Sequence, residues 1–436
     1  MRMNRDVLVR CWMASMLVAF GIRVSAVHAE ESTEPLHRVS SEVCETCHQE
    51  IYRQWKGSMH AQSTALTDPI HGAFYNQVVG DPTAEGVVHK QSGKFPVCLQ
   101  CHAPNAARDK TTKLDAMPAY SEGVNCVACH TLKDYKGIED ASGKTRYGLM
   151  AYAVSDVLQG PVGFPRGLDR LVAVDDPFGG AATASAEDQK PNPHLGEPVE
   201  MDGKRIPALE MESNPVQLRT SDACMGCHDQ RKNPQGVPLC QTGGEFVESG
   251  SRVACQTCHM PVAGGFADHS MGGGHHQAML ERSIVFALES EPDGDLIETR
   301  VQLRNLQPHA MPTGAPFRNL HLVLTAYDRA GEVVWKNSEG HPAEGDPRAY
   351  FAYGLADDEG HPAPPPTATQ PGGDTRLEPH EIRELEYEIP TEGVVLVRGE
   401  LYYSLLWPSL AKKFDHLPQE VTSPVLIAVA ENPIQE

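Results

Sequence analysis

The sequence has little that could cross a membrane. Its one long apolar stretch, 12–22, spans eleven residues, whereas a membrane-spanning helix needs about 20. This stretch follows a basic start and precedes the small-residue sequence Val27-His28-Ala29, a pattern typical of a cleavable export signal. We therefore expect residues 1–29 to be removed as a signal peptide. The mature chain is expected to have no transmembrane segment and to be periplasmic, with the cell surface as the alternative location.

Positive charge is scarce as well. The chain has 37 lysines and arginines against 58 aspartates and glutamates, and its formal net charge is −21. Nucleic acids and anionic membranes repel such a surface, so we expect neither as a partner. The acidity suits an exported soluble protein, and it would also suit a basic protein partner.

No cysteine follows Cys258, yet ten of the twelve cysteines fall into five copies of one pattern, Cys-x-x-Cys-His. Cys11 lies in the expected signal peptide, and Cys240 is left over. This composition predicts far less than one copy by chance, so the repetition is not accidental. The copies, called the first to fifth motifs below, are Cys44–His48, Cys98–His102, Cys126–His130, Cys224–His228 and Cys255–His259.

Cys-x-x-Cys-His is the attachment pattern of haem c. Its two thiols can each add to one of the two vinyl groups of a haem, and the adjacent histidine then supplies the proximal ligand of the iron. We therefore predict five covalently attached haems c. The predicted thioether residues are Cys44, Cys47, Cys98, Cys101, Cys126, Cys129, Cys224, Cys227, Cys255 and Cys258. The predicted proximal iron ligands are His48, His102, His130, His228 and His259.

Other uses of paired cysteines fit less well. Zinc ribbons do not need a histidine after every second cysteine, and a redox dithiol needs one pair rather than five. Aromatic residues make up only 6% of the chain, which agrees with a core that five porphyrins help to fill. Cys240 is interpreted as a buried, inert thiol, with a role beside a haem or in an intermolecular disulfide as alternatives.

The second axial ligand of each iron separates an electron carrier from a catalyst, because an open iron can bind a substrate. Histidines in a short predicted helix–loop segment and in a glycine-rich segment stand out, since glycine lets the backbone approach a flat ring closely. The predicted candidates for distal ligands are His60 in the first of these segments, His89 a short loop before the second motif, and at least one of the glycine-segment histidines His269, His275 and His276. Four further residues are interpreted as loop residues, with ligation as the alternative: His71, His194, His309 and Met311.

Several of these segments resemble the cytochrome c-554 family, over roughly residues 40–280. The resemblance implies a mainly helical domain with closely stacked, mostly bis-histidine haems, and His60 as a distal ligand. The type member of the family is a tetrahaem carrier that accepts electrons from hydroxylamine oxidoreductase. Five motifs instead of four mean that the pairing of haems cannot be transferred, and the Cys-x-x-Cys-Lys site of pentahaem nitrite reductases is absent. The resemblance is carried by Cys44–His48 with Trp55 and Ser58-Met-His60-Ala, by Cys101-His-Ala-Pro104, by Glu122-Gly-Val-Asn-Cys126-Val-Ala-Cys129-His130 and by Cys255-Gln-Thr-Cys-His-Met-Pro261.

The predicted fold is α+β and multidomain. Residues 30–281 are expected to form a mainly helical, loop-rich multihaem cytochrome c domain, with a haem-free insertion at 131–223 that contains loops near 161–165 and 175–180. Residues 282–436 are expected to form an all-β, immunoglobulin-like sandwich of about seven strands.

Period-two alternation of apolar and polar residues is the basis of the β prediction, because it is typical of antiparallel strands with one buried face. Residues 328–331 are predicted to form a turn, and 362–373 a Pro/Gly-rich loop. The predicted strands lie at 297–304, 320–327, 332–336, 385–389, 394–406 and 425–429.

Two functions fit these observations. The favoured hypothesis is an exported pentahaem cytochrome that transfers electrons between a redox donor protein and an acceptor protein through closely spaced haems. The alternative is a multihaem oxidoreductase that acts on a small nitrogen or sulfur compound at one haem with an open axial position. No catalytic residues are predicted, and the β region is interpreted as packing over the haem domain, with docking of a redox partner as its alternative role.

Overall fold

Short helices and loops make up the part of the chain that carries the five motifs. The computed structural model describes residues 34–161 and 192–435 of the protein. The expected signal peptide at 1–29 and the expected loops at 162–165 and 175–180 lie outside these residues. The helices of this part are α1 (Glu42–Glu45), α2 (Gln49–Lys56), α3 (Pro69–Val78), α4 (Leu99–His102), α5 (Pro104–Asp109), α6 (Pro118–Ser121), α7 (Cys126–His130), α8 (Pro215–Arg219), α9 (Asp222–His228), α10 (Thr242–Glu248), α11 (Cys255–His259) and α12 (Gln277–Glu281).

Local sequence explains several of these helices. The helix predicted before His60 is confirmed as α2. The carboxylate of Asp68 begins α3 by accepting hydrogen bonds from the backbone N–H groups of Ile70 and His71, and Pro69 suits the first helical position because it needs no donor there. Among the described residues of this part the longest helix, α3, has 10 residues, and such short helices agree with a core that the side chains fill only in part.

The described parts of residues 131–223 contain only short elements, as the glycine, proline and aspartate content of this segment indicated. The backbone N–H groups and carbonyls of its strands pair mostly in two-stranded sheets, so the segment is an irregular layer rather than a bundle. The strands in the motif-bearing part are β1 (Leu132–Tyr135), β2 (Tyr152–Val154), β3 (Leu158–Gly160), β4 (Val199–Met201), β5 (Lys204–Ile206), β6 (Met211–Ser213), β7 (Arg231–Lys232), β8 (Pro238–Cys240), β9 (Val262–Ala263) and β10 (Phe266–Ala267).

The C-terminal part of the chain is rich in β structure. One antiparallel sheet has the strand order β11-β12-β17, and the other has the order β16-β15-β13-β18-β19, with β14 also paired to β13. Apolar side chains of both sheets share one core, which includes Ile297, Leu322 and Leu401, all fully buried. The strands are β11 (Ile284–Asp293), β12 (Leu296–Asn305), β13 (Asn319–Tyr327), β14 (Val333–Lys336), β15 (Tyr350–Ala356), β16 (Gln370–Asp374), β17 (Ile382–Pro390), β18 (Leu396–Ser404) and β19 (Val425–Pro433). Three short helices accompany them: α13 (Pro342–Gly345), α14 (Pro408–Lys413) and α15 (Gln419–Thr422).

All six predicted strands are confirmed, as β12, β13, β14, β17, β18 and β19. Three strands were missed. The prediction of a loop throughout 362–373 was wrong at β16, which lies at the edge of its sheet and is fully exposed. A Gly- and Pro-rich segment can form such an edge because it pairs through its backbone alone. β15 was missed because its side chains are apolar on both faces and show no alternation.

The motif-bearing part and the β region pack against each other within one compact unit that runs from Pro35. Phe74 of α3 lies in the β-region core, with its ring centroid 5.3 Å from that of Phe317 and 5.4 Å from that of Phe414. Among the residues that the structure describes, no helix combines the length and apolar character needed to cross a membrane.

Candidate haem-binding sites

Each motif folds into one helical turn, which brings its two cysteines and its histidine together. In the first motif the backbone N–H groups of Cys47 and His48 donate to the carbonyl oxygen of Cys44, at 3.2 and 2.9 Å. In the second, the N–H of His102 donates to the carbonyl oxygen of Cys98 at 3.0 Å. The other three motifs form α7, α9 and α11. Because residues three and four apart share one face of a helix, the thiols and imidazole of a motif can reach one flat ligand.

Three motif histidines each have a second histidine ring nearby, and the three ring-centroid distances are nearly equal. An imidazole nitrogen binds a transition metal at about 2 Å and the ring centroid lies about 1 Å further, so two imidazoles on opposite sides of one iron have centroids roughly 6 Å apart. Each of the three observed distances fits one iron between two imidazoles. The centroid distances are 6.1 Å between His48 and His194, 6.0 Å between His60 and His228, and 6.4 Å between His259 and His309.

Backbone carbonyls orient seven of the described histidine rings through Nδ1. A ring whose Nδ1–H donates to a carbonyl presents Nε2 as its free nitrogen, which is the usual arrangement of a metal-binding histidine. Three of these rings belong to motifs, and the other four are candidates for distal ligands. The bonds run from His71 and His102 to Ser63 (2.8 and 3.0 Å), His130 to Gln159 (2.9 Å), His194 to Leu209 (2.9 Å), His259 to Gly272 (2.6 Å), His269 to Ala267 (2.7 Å) and His309 to Ala310 (3.0 Å).

The second motif has His71 beside His102. Their ring centroids are 4.0 Å apart, which is closer than the roughly 6 Å that an iron between them requires, so binding would separate the rings by about 2 Å. The Nε2 atom of His71 is buried and has no hydrogen-bond partner. A buried nitrogen without a partner is costly, and coordination to iron would remove that cost.

The third motif lacks such a ring pair among the described residues. Burial lowers the pKa of His130, and the charge of His269 lowers it further, so the two side chains lie near enough to interact. The backbone N–H of His269 donates to the side-chain oxygen of Gln54, which ties the glycine-rich segment to α2. Of the three histidines predicted in that segment, His269 is the one with its Nδ1 bonded to a carbonyl.

The other predicted candidates lie apart from the ring pairs. The Nδ1 atom of His276 accepts a hydrogen bond from the N–H of Met279 and caps α12. The Nδ1 atom of His89 accepts one from the N–H of Ser92. His275 is exposed and interacts electrostatically with an arginine, Arg318. Ligation by these three histidines therefore stays a prediction that no contact in the structure supports.

His60 is held by residues that carried the family resemblance. The indole N–H of Trp55 donates to the carbonyl oxygen of Val124, and the N–H of Val124 donates to the carbonyl oxygen of His60, both at 2.9 Å. Gly123 has a φ of +67° and packs directly on that carbonyl. Burial lowers the pKa of His60 to about 4, which keeps its ring in the neutral form that binds metals.

Neighbouring thiols group the five motifs into a pair, the first and third, and a trio, the second, fourth and fifth. The neighbouring thiol of Cys126 raises the pKa of Cys44, so the first and third motifs lie side by side. The same holds for the second and fourth motifs through Cys101 and Cys227, and for the fourth and fifth through Cys224 and Cys255. After Cys255 and burial, the charge of Cys129 in the third motif also raises the pKa of Cys224, so the pair and the trio meet at the third and fourth motifs. Ligands bound at these motifs would therefore be neighbours.

A buried polar network fixes the first motif beside the third. The side-chain oxygen of Asn125 accepts from the N–H of Ala128 and so caps α7, and its amide nitrogen donates to Glu122. The carboxylate of Glu122 also accepts from the N–H of Ser41, whose hydroxyl in turn accepts from the N–H of Cys126. These bonds hold the start of α1 against the start of α7.

Cys240 lies next to the fourth motif. Its Sγ atom is 3.7 Å from the carbonyl oxygen of His228 and 3.5 Å from the hydroxyl of Thr242. Burial raises the pKa of the Cys240 thiol, which is typical of an unreactive cysteine and agrees with the interpretation as an inert thiol.

Comparison with known proteins agrees with this geometry. Residues 43–131 match the family described as cytochrome c554 and c-prime. The whole structure is similar to the crystal structure of a penta-heme cytochrome c552 from Thermochromatium tepidum, with 73% sequence identity and a TM-score of 0.86, over 92% of this chain and 100% of that chain. The chain belongs to the cytochrome c-554 family of multihaem c-type cytochromes. The family resemblance predicted from the motifs is therefore confirmed.

As a multihaem cytochrome of this family, the protein carries five covalently bound haems c and functions in electron transfer. A second solved structure, of a DUF1425 family member from Shewanella sp. pv-4, aligns with 28% of this chain and 73% of that chain at 14% identity, and its TM-score of 0.15 is too low to indicate a shared fold. No curated protein matches the chain.

Proposed function

We propose that this cytochrome is an exported, periplasmic electron carrier in which two histidines bind each of the five irons. In this proposal the ten motif cysteines form the thioethers and the five motif histidines are the proximal ligands. The distal ligands, in the order of the motifs, are His194, His71, His269, His60 and His309.

The observation that carries the proposal is the set of ring-centroid distances between 6.0 and 6.4 Å at the first, fourth and fifth motifs. The orientation of the rings supports the same assignment, because Nδ1 of His194 and of His309 is engaged with a carbonyl and Nε2 is left for the metal. At the second motif, support comes from the unpartnered Nε2 of His71. At the third motif it comes from the bond of His269 Nδ1 to the carbonyl of Ala267, at 2.7 Å, and from the electrostatic interaction of His269 with His130.

Two histidines on every iron favour electron transfer over the oxidoreductase alternative. An iron with two protein ligands has no position for a small nitrogen or sulfur compound, and histidine pairs keep it in one coordination state in both oxidation states. The contacts between motifs support exchange of electrons between neighbouring sites: first with third, second with fourth, and fourth with fifth.

The ends of this set suit contact with redox proteins. Cys47 of the first motif and Cys258 of the fifth are the two exposed motif cysteines, so haems attached at these motifs would be nearest to solvent. We infer that a donor protein and an acceptor protein bind near the first and fifth motifs. The net charge of −21 suits partners with a basic surface.

The β region is proposed to be an immunoglobulin-like sandwich that supports the haem-bearing part. Two sheets with a shared core favour the description as a sandwich. The packing of Phe74 of α3 between Phe317 and Phe414 favours a structural role for the β region beneath the haem-bearing part. The proposed domains remain 30–281 and 282–436.

Carbon monoxide binding to the reduced protein tests the proposal, because carbon monoxide binds only an iron with an open or weakly held axial position. The native cytochrome should show no carbon monoxide adduct, and its oxidised spectrum should be low-spin throughout. Replacing His194, His71 or His309 singly by Ala should open one haem of five, whereas the matched control His89→Ala should open none.

An adduct in the native protein would favour the oxidoreductase alternative. An adduct in His89→Ala together with none in His71→Ala would assign His89 as the ligand instead.

A further inference from the structure

Glu245 lies where α10 meets the β region, and its side chain is only 11% exposed. Its carboxylate accepts three hydrogen bonds. The Oε2 atom accepts from the backbone N–H of Ala310 at 3.1 Å and from the hydroxyl of Thr313 at 2.6 Å. The Oε1 atom accepts from the guanidinium of Arg376 at 2.7 Å. All four residues are outside the five motifs.

These bonds hold the loop that begins with His309. Ala310 follows His309 directly, and the same Glu245 carboxylate also binds Thr313 at the far end of the loop. The Arg376 guanidinium donates to the carbonyl of Pro312 as well, at 3.3 Å. The loop is thus fixed at both ends by one carboxylate that belongs to a helix of the haem-bearing part.

One further contact of the loop comes from α10, whose Thr242 hydroxyl lies 2.8 Å from that of Thr313, and others come from the β region. The amide of Asn305 donates to the carbonyl oxygen of His309 at 2.8 Å, and the backbones of Met311 and Leu377 pair with each other. The β region therefore shapes the loop, and Glu245 sets its position relative to α10.

We propose that Glu245 is the positioning residue for the distal histidine of the fifth haem. This inference rests on the proposed function, in which His309 is that ligand. The His309 ring must stay at the 6.4 Å centroid distance from His259 for both imidazoles to reach one iron. Ligand geometry of this kind is kept by outer groups that hold the ligand-bearing backbone.

The ion pair makes this anchor hard to replace. Arg376 and Glu245 are 12% and 11% exposed, so removal of the carboxylate leaves a largely buried guanidinium with Asp374 as its remaining carboxylate partner. It also leaves the Ala310 N–H without its acceptor. The loop then keeps only the hydrogen bond between Thr242 and Thr313 as its connection to α10 and can move His309 away from the iron.

The experiment compares Glu245→Ala and Glu245→Gln with Glu248→Ala in the full, haem-loaded protein. Glu248 is an exposed residue three positions further along α10, and it serves as the matched control. In reduced Glu245→Ala, carbon monoxide should bind up to one haem of five. The oxidised protein should show a high-spin signal that corresponds to the same fraction of the haems. Glu245→Gln should give a smaller fraction, since its amide oxygen still accepts a hydrogen bond, and Glu248→Ala should give none.

A reference variant, His309→Ala, tests the ligand assignment of His309 separately from the positioning role of Glu245. If His309→Ala opens no haem, the ligand assignment in the proposed function is wrong. If His309→Ala opens one haem while Glu245→Ala keeps all five closed, the ligand stands and the positioning role of Glu245 is refuted. Should Glu245→Ala fail to accumulate, Glu245→Gln and Thr313→Val decide by the same measurement, and native spectra in both would refute the role.

Discussion

Gly123 supports the backbone carbonyl of His60 at a point where no side chain fits. Its φ of +67° lies in the left-handed region, and an added Cβ would meet the carbonyl oxygen of His60 as well as the hydroxyl of Ser63. Both the conformation and the space therefore require glycine. This contact joins the segment before the third motif to the proposed distal ligand of the fourth.

Gly123→Ala should therefore displace His60 as well as destabilise the fold. We expect a loss of about 1–3 kcal/mol in unfolding free energy from the strained backbone and the close contact, and a change in the reduction potential of one haem. Denaturant unfolding and a redox titration measure the two effects. The matched control is Gly93→Ala, because Gly93 has a φ of +65° with open space around it. Equal behaviour of the two variants would show that the contact with His60 has no role.

His60→Met should raise the reduction potential of one haem and leave the other four nearly unchanged. A thioether stabilises the reduced iron more than an imidazole does, so methionine at one axial position raises the potential. A spectroelectrochemical titration resolves the five components, and His276→Met provides the control on an exposed histidine. Five unchanged potentials in His60→Met would rule out ligation by His60.

The β region should lose stability in mild acid through His321. This side chain is 5% exposed, stacks on Tyr402 and lies beside His341. Burial, and then the charge of His341, lower the pKa of His321 to about 4. The unfolded chain, with a histidine pKa of about 6.5, thus takes up a proton first. The stabilisation is present above about pH 6.5 and is lost as the pH falls through about 4.

Comparison of native protein with His321→Phe isolates this contribution. Between about pH 6.5 and 4 the native unfolding free energy should fall by on the order of 3 kcal/mol more than that of the variant. Urea unfolding followed by far-ultraviolet circular dichroism at several pH values measures the difference. His416→Phe, at an exposed position, should keep the native pH dependence. Parallel curves for native protein and His321→Phe would contradict the assignment.

The sequence predicts the parts of the haem sites that are local. Thioether formation needs two thiols and a histidine within five residues, so Cys44–His48 and its repeats are visible as a pattern. The strands of the β region are visible for a similar reason, because alternation along Leu385, Tyr387 and Ile389 reflects one buried face.

The proposed distal ligands are not local, and this is why sequence reasoning favoured a loop role for His71, His194 and His309. Each is brought to its motif by the tertiary fold, and nothing in its neighbouring residues distinguishes it from a solvated loop histidine. His60 was predicted because its surrounding residues resemble those of a family, and its supports, Trp55 and Gly123, are part of that same resemblance.

The position of His309 has a consequence for how the cytochrome matures. In the proposed ligand set, the second site combines His71 with His102, which are near neighbours in the chain. The fifth site combines His259 with His309, which belongs to the β region and is therefore synthesised after all five motifs. In this ligand set the iron of the fifth motif would gain its second protein ligand only once the loop that carries His309 is in place, so a chain truncated before the β region would leave that iron with an open axial position.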